Sequence, residues 1–182
     1  MEDEKFFINR GNAKANLHDY KGAIEDYTKA IEIDQNPMYY KSRGHAKFYL
    51  EDYNDAIIDL TKAIELYPAY EEAYNIRGLA KANLIDYSGA ISDYTKAIEL
   101  NSQYAMAYYN RGLAKAGQQD YKGSIIDFSK AIELDPKDGE TYYNRGIAEY
   151  FLGDKDRACL DWSKAGELGY GYAYNLIQKY CN

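Results

Sequence analysis

The chain has 182 residues, 46% of them hydrophobic and 28% charged, with a formal net charge of −7 and a pI near 4.9. That balance suits a folded, soluble chain rather than a disordered one, and no apolar run is long enough for a membrane-crossing helix. Lys and Arg are not clustered, so neither nucleic acid, whose binding rests on phosphate neutralisation, nor a membrane is expected as a partner.

Taken in order, the chain repeats itself. The stretch Tyr74 to Leu100 is aligned by its Gly78 with near-copies at Gly11, Gly44, Gly112 and Gly146, in steps of 33, 34, 34 and 34 residues. The repeats span residues 4–36, 37–70, 71–104, 105–138 and 139–171, and residues 172–182 follow them. Within each, an apolar pattern of helical period breaks at a short polar turn and resumes, which predicts two helices joined by that turn. Asp19, Asp52, Asp86, Asp120 and Asp154 share one turn position, where a carboxylate can cap the second helix. Pro68 and Pro136 stop second helices.

Small residues recur where helices must approach closely. Position eight of each repeat is Gly, position ten is Ala (Ala13 to Ala148), and positions twenty and twenty-seven are nearly always Ala. A helical Gly costs about 0.5–1 kcal/mol against Ala, so five at one register imply compensating close packing. Large residues fill complementary positions: Tyr27, Leu60, Tyr94, Phe128 and Trp162 in the second helix, and Tyr20, Tyr53, Tyr87 and Tyr121 at the turn. Much of the tyrosine, 22 residues in all, is therefore expected to be structural.

These positions carry a resemblance to the tetratricopeptide repeat (TPR) family over essentially the full chain. The family pattern has a large residue at position four (Phe7, Tyr40, Tyr74, Tyr108, Tyr142), then Gly, Ala, an aromatic or Leu, and Ala at eight, twenty, twenty-four and twenty-seven. The form NRG-x-AK with DY-x-x-AI looks like bacterial members. The resemblance implies an all-α, right-handed superhelical solenoid of five TPR hairpins plus a C-terminal capping helix. Two positions depart from the family. Position seven is Arg in every copy (Arg10, Arg43, Arg77, Arg111, Arg145) and position twenty-three is Asp (Asp26, Asp59, Asp93, Asp127, Asp161). An Arg–Asp ladder is expected, within a hairpin or between neighbours; the other reading is independently solvated charges.

The fifth repeat is degenerate, with Lys155 for the turn Tyr and Gly166 at position twenty-eight, and from Asp156 onward it resembles the Sel1-like variant. Tyr172 to Tyr180 reads as a final helix that caps the last hairpin through Tyr172, Leu176 and Tyr180. The polar start, Met1 to Lys5, leaves the outer face of the first repeat either as an open end or as a place where more repeats precede.

No phosphate loop, dinucleotide fingerprint, nucleophile elbow or HExxH is present, and the two histidines, His18 in a turn and His45 in a first helix, do not read as a shared metal site. Hence no enzyme, cofactor or metal is expected. The acidic N-terminus lacks the features of a signal peptide, and Cys159 and Cys181 read as ordinary thiols of a reducing compartment, so a cytoplasmic location is expected. Function then falls to a surface. The resemblance implies a concave groove lined by first helices, with Asn12, Lys41, His45, Tyr49, Asn75, Leu79, Asn83, Met106, Tyr109, Leu113, Tyr143 and Tyr150 as the residues facing a peptide. The chaperone-tail clamp of some relatives fails residue by residue, with Ile8, Ser42, Glu72 and Ile76 in its positions. The expected role is a protein-interaction scaffold that binds a protein or peptide. The alternative is a self-assembly module associating through repeat ends or convex surface, so a homo-oligomer stays open.

Overall fold

A computed structural model describes residues 3–181; Met1 and Glu2, part of the polar start, lie outside the described residues. Among the described residues there are eleven α-helices and no strand. They form two compact units that divide after Leu100. The first holds α1 (Glu4–Asn16), α2 (Tyr20–Ile33), α3 (Pro37–Tyr49), α4 (Tyr53–Leu66), α5 (Glu71–Asn83) and α6 (Tyr87–Leu100). The second holds α7 (Ala105–Gly117), α8 (Tyr121–Leu134), α9 (Gly139–Phe151), α10 (Lys155–Glu167) and α11 (Ala173–Tyr180). In each unit every helix packs on the next, and first helices also touch, α1 with α3, α3 with α5 and α7 with α9. The all-α class of paired helices expected from the repeats is thus the class found.

The turns explain where the helices begin. The carboxylates of Asp19, Asp86 and Asp120 accept from the backbone N–H three residues on, at Gly22, Gly89 and Gly123, over 2.9–3.0 Å. Asp154 accepts from Arg157 N at 3.2 Å. Asp52 makes no side-chain cap bond, a departure from the expectation. Its N3 residue is Asp55, which adds a like charge where the capping carboxylate must lie. One residue before the capping Asp the chain turns left-handed, at His18, Glu51, Ile85, Gln119 and Gly153, with φ between 62° and 87°.

Packing within a hairpin follows the small-to-large pattern. Ala23, Ala30, Ala56, Ala63, Ala90 and Ala97 are completely buried, and Tyr27, Leu60 and Tyr94 fill the space between helices. The glycine at position eight faces these large residues, and a Cβ on Gly11 would lie 2.6 Å from Tyr27 Cε1. The helices can approach this closely only because that Cβ is missing.

The ladder is present, and it has more rungs than the sequence reading gave it. Each Arg forms a two-pronged hydrogen bond to the Asp of its own hairpin, from Nε and Nη2, at 2.7–2.9 Å. Arg43, Arg77 and Arg145 also donate from Nη1 to Thr28, Thr61 and Ser129 of the preceding hairpin. Lysines at position eleven complete the clusters, Lys14, Lys47, Lys81 and Lys115 lying 2.7–2.9 Å from the same aspartates. The aspartates are almost wholly buried, so the cations compensate groups that would otherwise be stranded from water.

Two expectations about the C-terminus are corrected. The final helix begins at Ala173, and Tyr172 does not dock: it is 69% exposed. The docked face is Ala173, Leu176, Ile177 and Tyr180, an i, i+3, i+4, i+7 stripe on the cluster of Ala158, Trp162 and Ala165. Cys159 and Cys181 are not free thiols but a disulfide with Cα atoms 5.7 Å apart, because α11 folds back along α10. A disulfide belongs to oxidising compartments, so the thiol argument for the cytoplasm falls away. Among the described residues no helix is long and apolar enough to cross a membrane.

Candidate functional site

Most recurrent residues are taken up by packing and by the ladder, so a candidate binding face rests mainly on positions that differ between copies. In the first unit, α1 and α3 lie side by side and enclose a concavity of about 560 Å³, within the range of ligand pockets. Its polar lining is Asn12, Asn16, Lys41, Ser42, His18 and His45, and its aromatic wall is Tyr20, Tyr27 and Tyr49. No carboxylate lines it.

The side chains are oriented by one another. Tyr27 OH donates to Asn12 Oδ1 at 2.9 Å, which leaves the carboxamide NH2 as the end that can donate to a ligand. Tyr49 stacks on Tyr20 with ring centres 4.7 Å apart, and His45 lies 4.8 Å from the same ring. His18, held in the left-handed turn, has Nδ1 2.9 Å from Tyr20 OH. Lys41 reaches Glu72 at 3.0 Å and lies 5.6 Å from the centre of the Tyr70 ring.

Burial pushes the His45 imidazole below its ordinary pKa, the Lys41 charge adds to this and Glu72 opposes it, so His45 is neutral at pH 7. Burial works against the Lys41 ammonium, but Tyr70 and Glu72 outweigh it and the net shift is upward. The concavity therefore presents neutral donors and acceptors beside one paired cation. That set matches the N–H and C=O groups of an extended backbone. Among the described residues no group of three or more His, Cys, Asp or Glu side chains is arranged to hold a metal ion.

Of the other sequence-derived candidates in this unit, Leu79 is half-buried, and Asn83 is exposed with Nδ2 donating to Leu79 O of its own helix at 2.9 Å. Asn75 is corrected: at 2% exposure it belongs to the interior. Position five points toward the neighbouring hairpin as well as toward the face, and Ile8, its counterpart in α1, is buried for the same reason. The turn and second-helix contributors His18, Tyr20 and Tyr27 are absent from the sequence-derived set, since repetition marked the tyrosines as structural.

In the second unit a separate concavity of about 440 Å³ is lined by Tyr104, Met106, Tyr109, Asp135, Asp138 and Glu140, among others. Met106 is 57% exposed and Leu113 is also exposed. Tyr109 OH accepts from Asn144 Nδ2 at 3.1 Å, and burial together with Glu140 pushes its phenol well above the usual value. Tyr143 is half-buried and Tyr150 is 37% exposed, each with part of its ring covered. Tyr143 packs 5.0 Å from Tyr170, and Tyr150 lies 4.7 Å from Tyr180 of α11, so the C-terminal segment covers part of both.

The comparisons with known proteins bear on the family and the fold. Tetratricopeptide repeat patterns match residues 5–37, 39–70, 105–138 and 128–159, and a TPR repeat pattern matches 86–119. Among solved structures, the chain is similar to a crystal structure of MamA at 31% identity and a TM-score of 0.82, covering 90% of this chain and 96% of that one. It is similar in fold to MamA of Desulfovibrio magneticus RS-1, at 22% identity and a TM-score of 0.86 over 94% of this chain and 97% of that one. YrrB, described as a TPR protein with an unusual peptide-binding site, superposes with a TM-score of 0.79 at 22% identity, over 97% and 92% of the two chains. A comparison with curated proteins finds no match.

Proposed function

We propose that this chain, which belongs to the tetratricopeptide repeat family, is a non-enzymatic scaffold that holds a peptide or an extended partner segment against its first helices. The observation that carries this reading is the α1–α3 concavity, where Asn12, Asn16, Ser42 and His45 offer uncharged hydrogen-bonding groups beside the Tyr20–Tyr49 stack. Amides can pair with a ligand backbone while the rings pack its side chains. The peptide-binding site named for YrrB, a protein of similar fold, supports it by analogy. Lys41, Leu79 and Asn83 extend the proposed face in the first unit, and Met106, Tyr109 and Leu113 offer a second face in the other.

A peptide array probed with the labelled protein tests this. Asn12→Ala and Tyr49→Ala should each weaken a hit by about tenfold or more while the helical spectrum is unchanged. Binding that ignores both substitutions would sink the α1–α3 reading.

A second reading, self-association through a repeat end, is favoured by one observation. Ala13 on α1 is exposed, together with Phe6 and Leu17, whereas Ala46 and Ala80 at the same register are buried. Light scattering across a concentration series tests it, and a strict monomer at high concentration counts against it. A bacterial source and a Sel1-like fifth repeat are part of the proposal. The Cys159–Cys181 disulfide counts against a cytoplasmic location, because such bonds belong to oxidising compartments.

A further inference from the structure

In four of the five hairpins the buried ladder aspartate is held by two cations, the Arg at position seven and the Lys at position eleven. In the fifth, position eleven is Glu149. The substitution removes an ammonium and installs a carboxyl in its place, so Arg145, which is paired with Asp161, also has Glu149 acting on it, with Arg157 as the other nearby cation. Glu149 is 6% exposed, and its Oε2 is buried without a hydrogen-bond partner. A buried carboxylate oxygen without a hydrogen-bond partner is costly while the group is charged, and a proton is the simplest way to remove that charge.

We propose that Glu149, buried beside Asp161, is a proton-sensing carboxyl that makes the seating of the last hairpin and α11 depend on pH. The charged groups acting on Glu149 come from three places: Arg145 on its own helix, Asp161 and Arg157 on α10, and Asp154 in the turn. From α8, Ser129 contributes an uncharged hydroxyl that accepts from Arg145. Burial first, then Asp161, raise the Glu149 carboxyl from 4.5 to about 7, with Arg145 opposing. The folded hairpin thus keeps a proton that the unfolded chain has already released. Stability from this group is complete below about pH 4.5, falls as pH rises toward 7, and stays low above it.

The pair is wired to α11 through adjacent residues. Tyr150 follows Glu149 and packs 5.9 Å from Trp162 and 4.7 Å from Tyr180, while Trp162 follows Asp161 and lies 6.0 Å from Tyr180. Repulsion between Glu149 and Asp161 pushes α9 from α10 at the seat of Tyr180. The disulfide keeps α11 tethered while its docked face loosens.

The test is urea unfolding of the full chain between pH 5 and pH 8, with hydrogen exchange of α11 and the fluorescence of Trp162, the sole tryptophan, as local readouts. The unfolding constant of the last hairpin should rise roughly a hundredfold across that range, and α11 amides should lose protection in step. Glu149→Gln should flatten the dependence. Glu149→Lys, which recreates the arrangement of the other four repeats, should flatten it and protect α11 at pH 8. His18 and His45 remain in every variant, so the difference belongs to Glu149. A Glu149→Gln protein with an unchanged pH slope, or a Glu149 carboxyl carbon titrating near 4.5 in the unmutated protein, would overturn the proposal. So would a pH dependence abolished by added potassium or magnesium, because the pair would then take a metal cation.

Discussion

Gly78 faces Tyr94 so closely that a Cβ on the glycine would lie 2.6 Å from Cε1 of the ring. No real side chains sit that close, so Ala at this position must push the ring or the helix aside. On helix propensity alone Gly78→Ala would stabilise by about 0.5–1 kcal/mol. Tyr94 is almost completely buried between helices and has little room to give. The overpacking should prevail, and we expect Gly78→Ala to lower stability by about 1–3 kcal/mol in urea unfolding. Tyr94→Leu, which copies the Gly44–Leu60 pair of the second repeat, should recover part of the loss in the double variant.

Ile85 offers the opposite case, a substitution expected to stabilise. Its φ is +64°, a conformation that costs a β-branched residue about 1–2 kcal/mol, and its side chain is exposed. Gly153 fills the same turn position in the fifth repeat without that strain. Ile85→Gly should therefore raise stability by about 1 kcal/mol, with the greater freedom of glycine in the unfolded chain offsetting part of the gain. A thermal midpoint that falls would show that Ile85 makes contacts worth more than its strain.

How much of this was legible in the sequence depended on repetition. Gly78, Tyr94, Arg77 and Asp93 recur at fixed register, so their close approach and their ion pair could be anticipated from the spacing. Lys81 recurs too, but as a surface-type residue among many lysines, and its part in the Asp93 cluster became clear only when position eleven came within 2.8 Å of that carboxylate. Asn75 shows the limit for the candidate site. Helical periodicity places it on a face, but burial depends on the neighbouring hairpin, which a single repeat does not contain. Cys159 and Cys181 fail for a similar reason. A separation of 22 residues carries no local geometry, and their meeting depends on α11 turning back along α10.

The ladder carries a prediction about acid. The hydrogen bond from Arg10 holds the Asp26 carboxyl down to about 2, with Lys14 adding to it and burial opposing. Because the folded value lies below the ordinary 3.8, the ion pair contributes stability above that pH, and the contribution is lost as pH falls through about 2. Carboxyl-carbon NMR should find Asp26 titrating near the bottom of the accessible range. Arg10→Gln should move the midpoint upward and bring acid unfolding of the first hairpin to higher pH. An unmoved midpoint would assign the shift to Lys14 instead.

The disulfide makes the last prediction. Closing the loop from Cys159 to Cys181 restricts the unfolded chain, and a loop of this length is worth about 3 kcal/mol in the chain-entropy account. The bond ties the end of an eight-residue helix, too short to persist alone, to the hairpin it covers. Reduction, or Cys159→Ser with Cys181→Ser, should lower the stability of the second unit by about 2–4 kcal/mol. Hydrogen exchange should then show α11 losing protection before α7 and α8. Leu176, Ile177 and Tyr180 would still favour docking, so the reduced helix should sample its seat rather than leave it for good. If α11 were as protected in the reduced protein as in the oxidised one, its apolar stripe alone would suffice and the bond would contribute nothing to the cap.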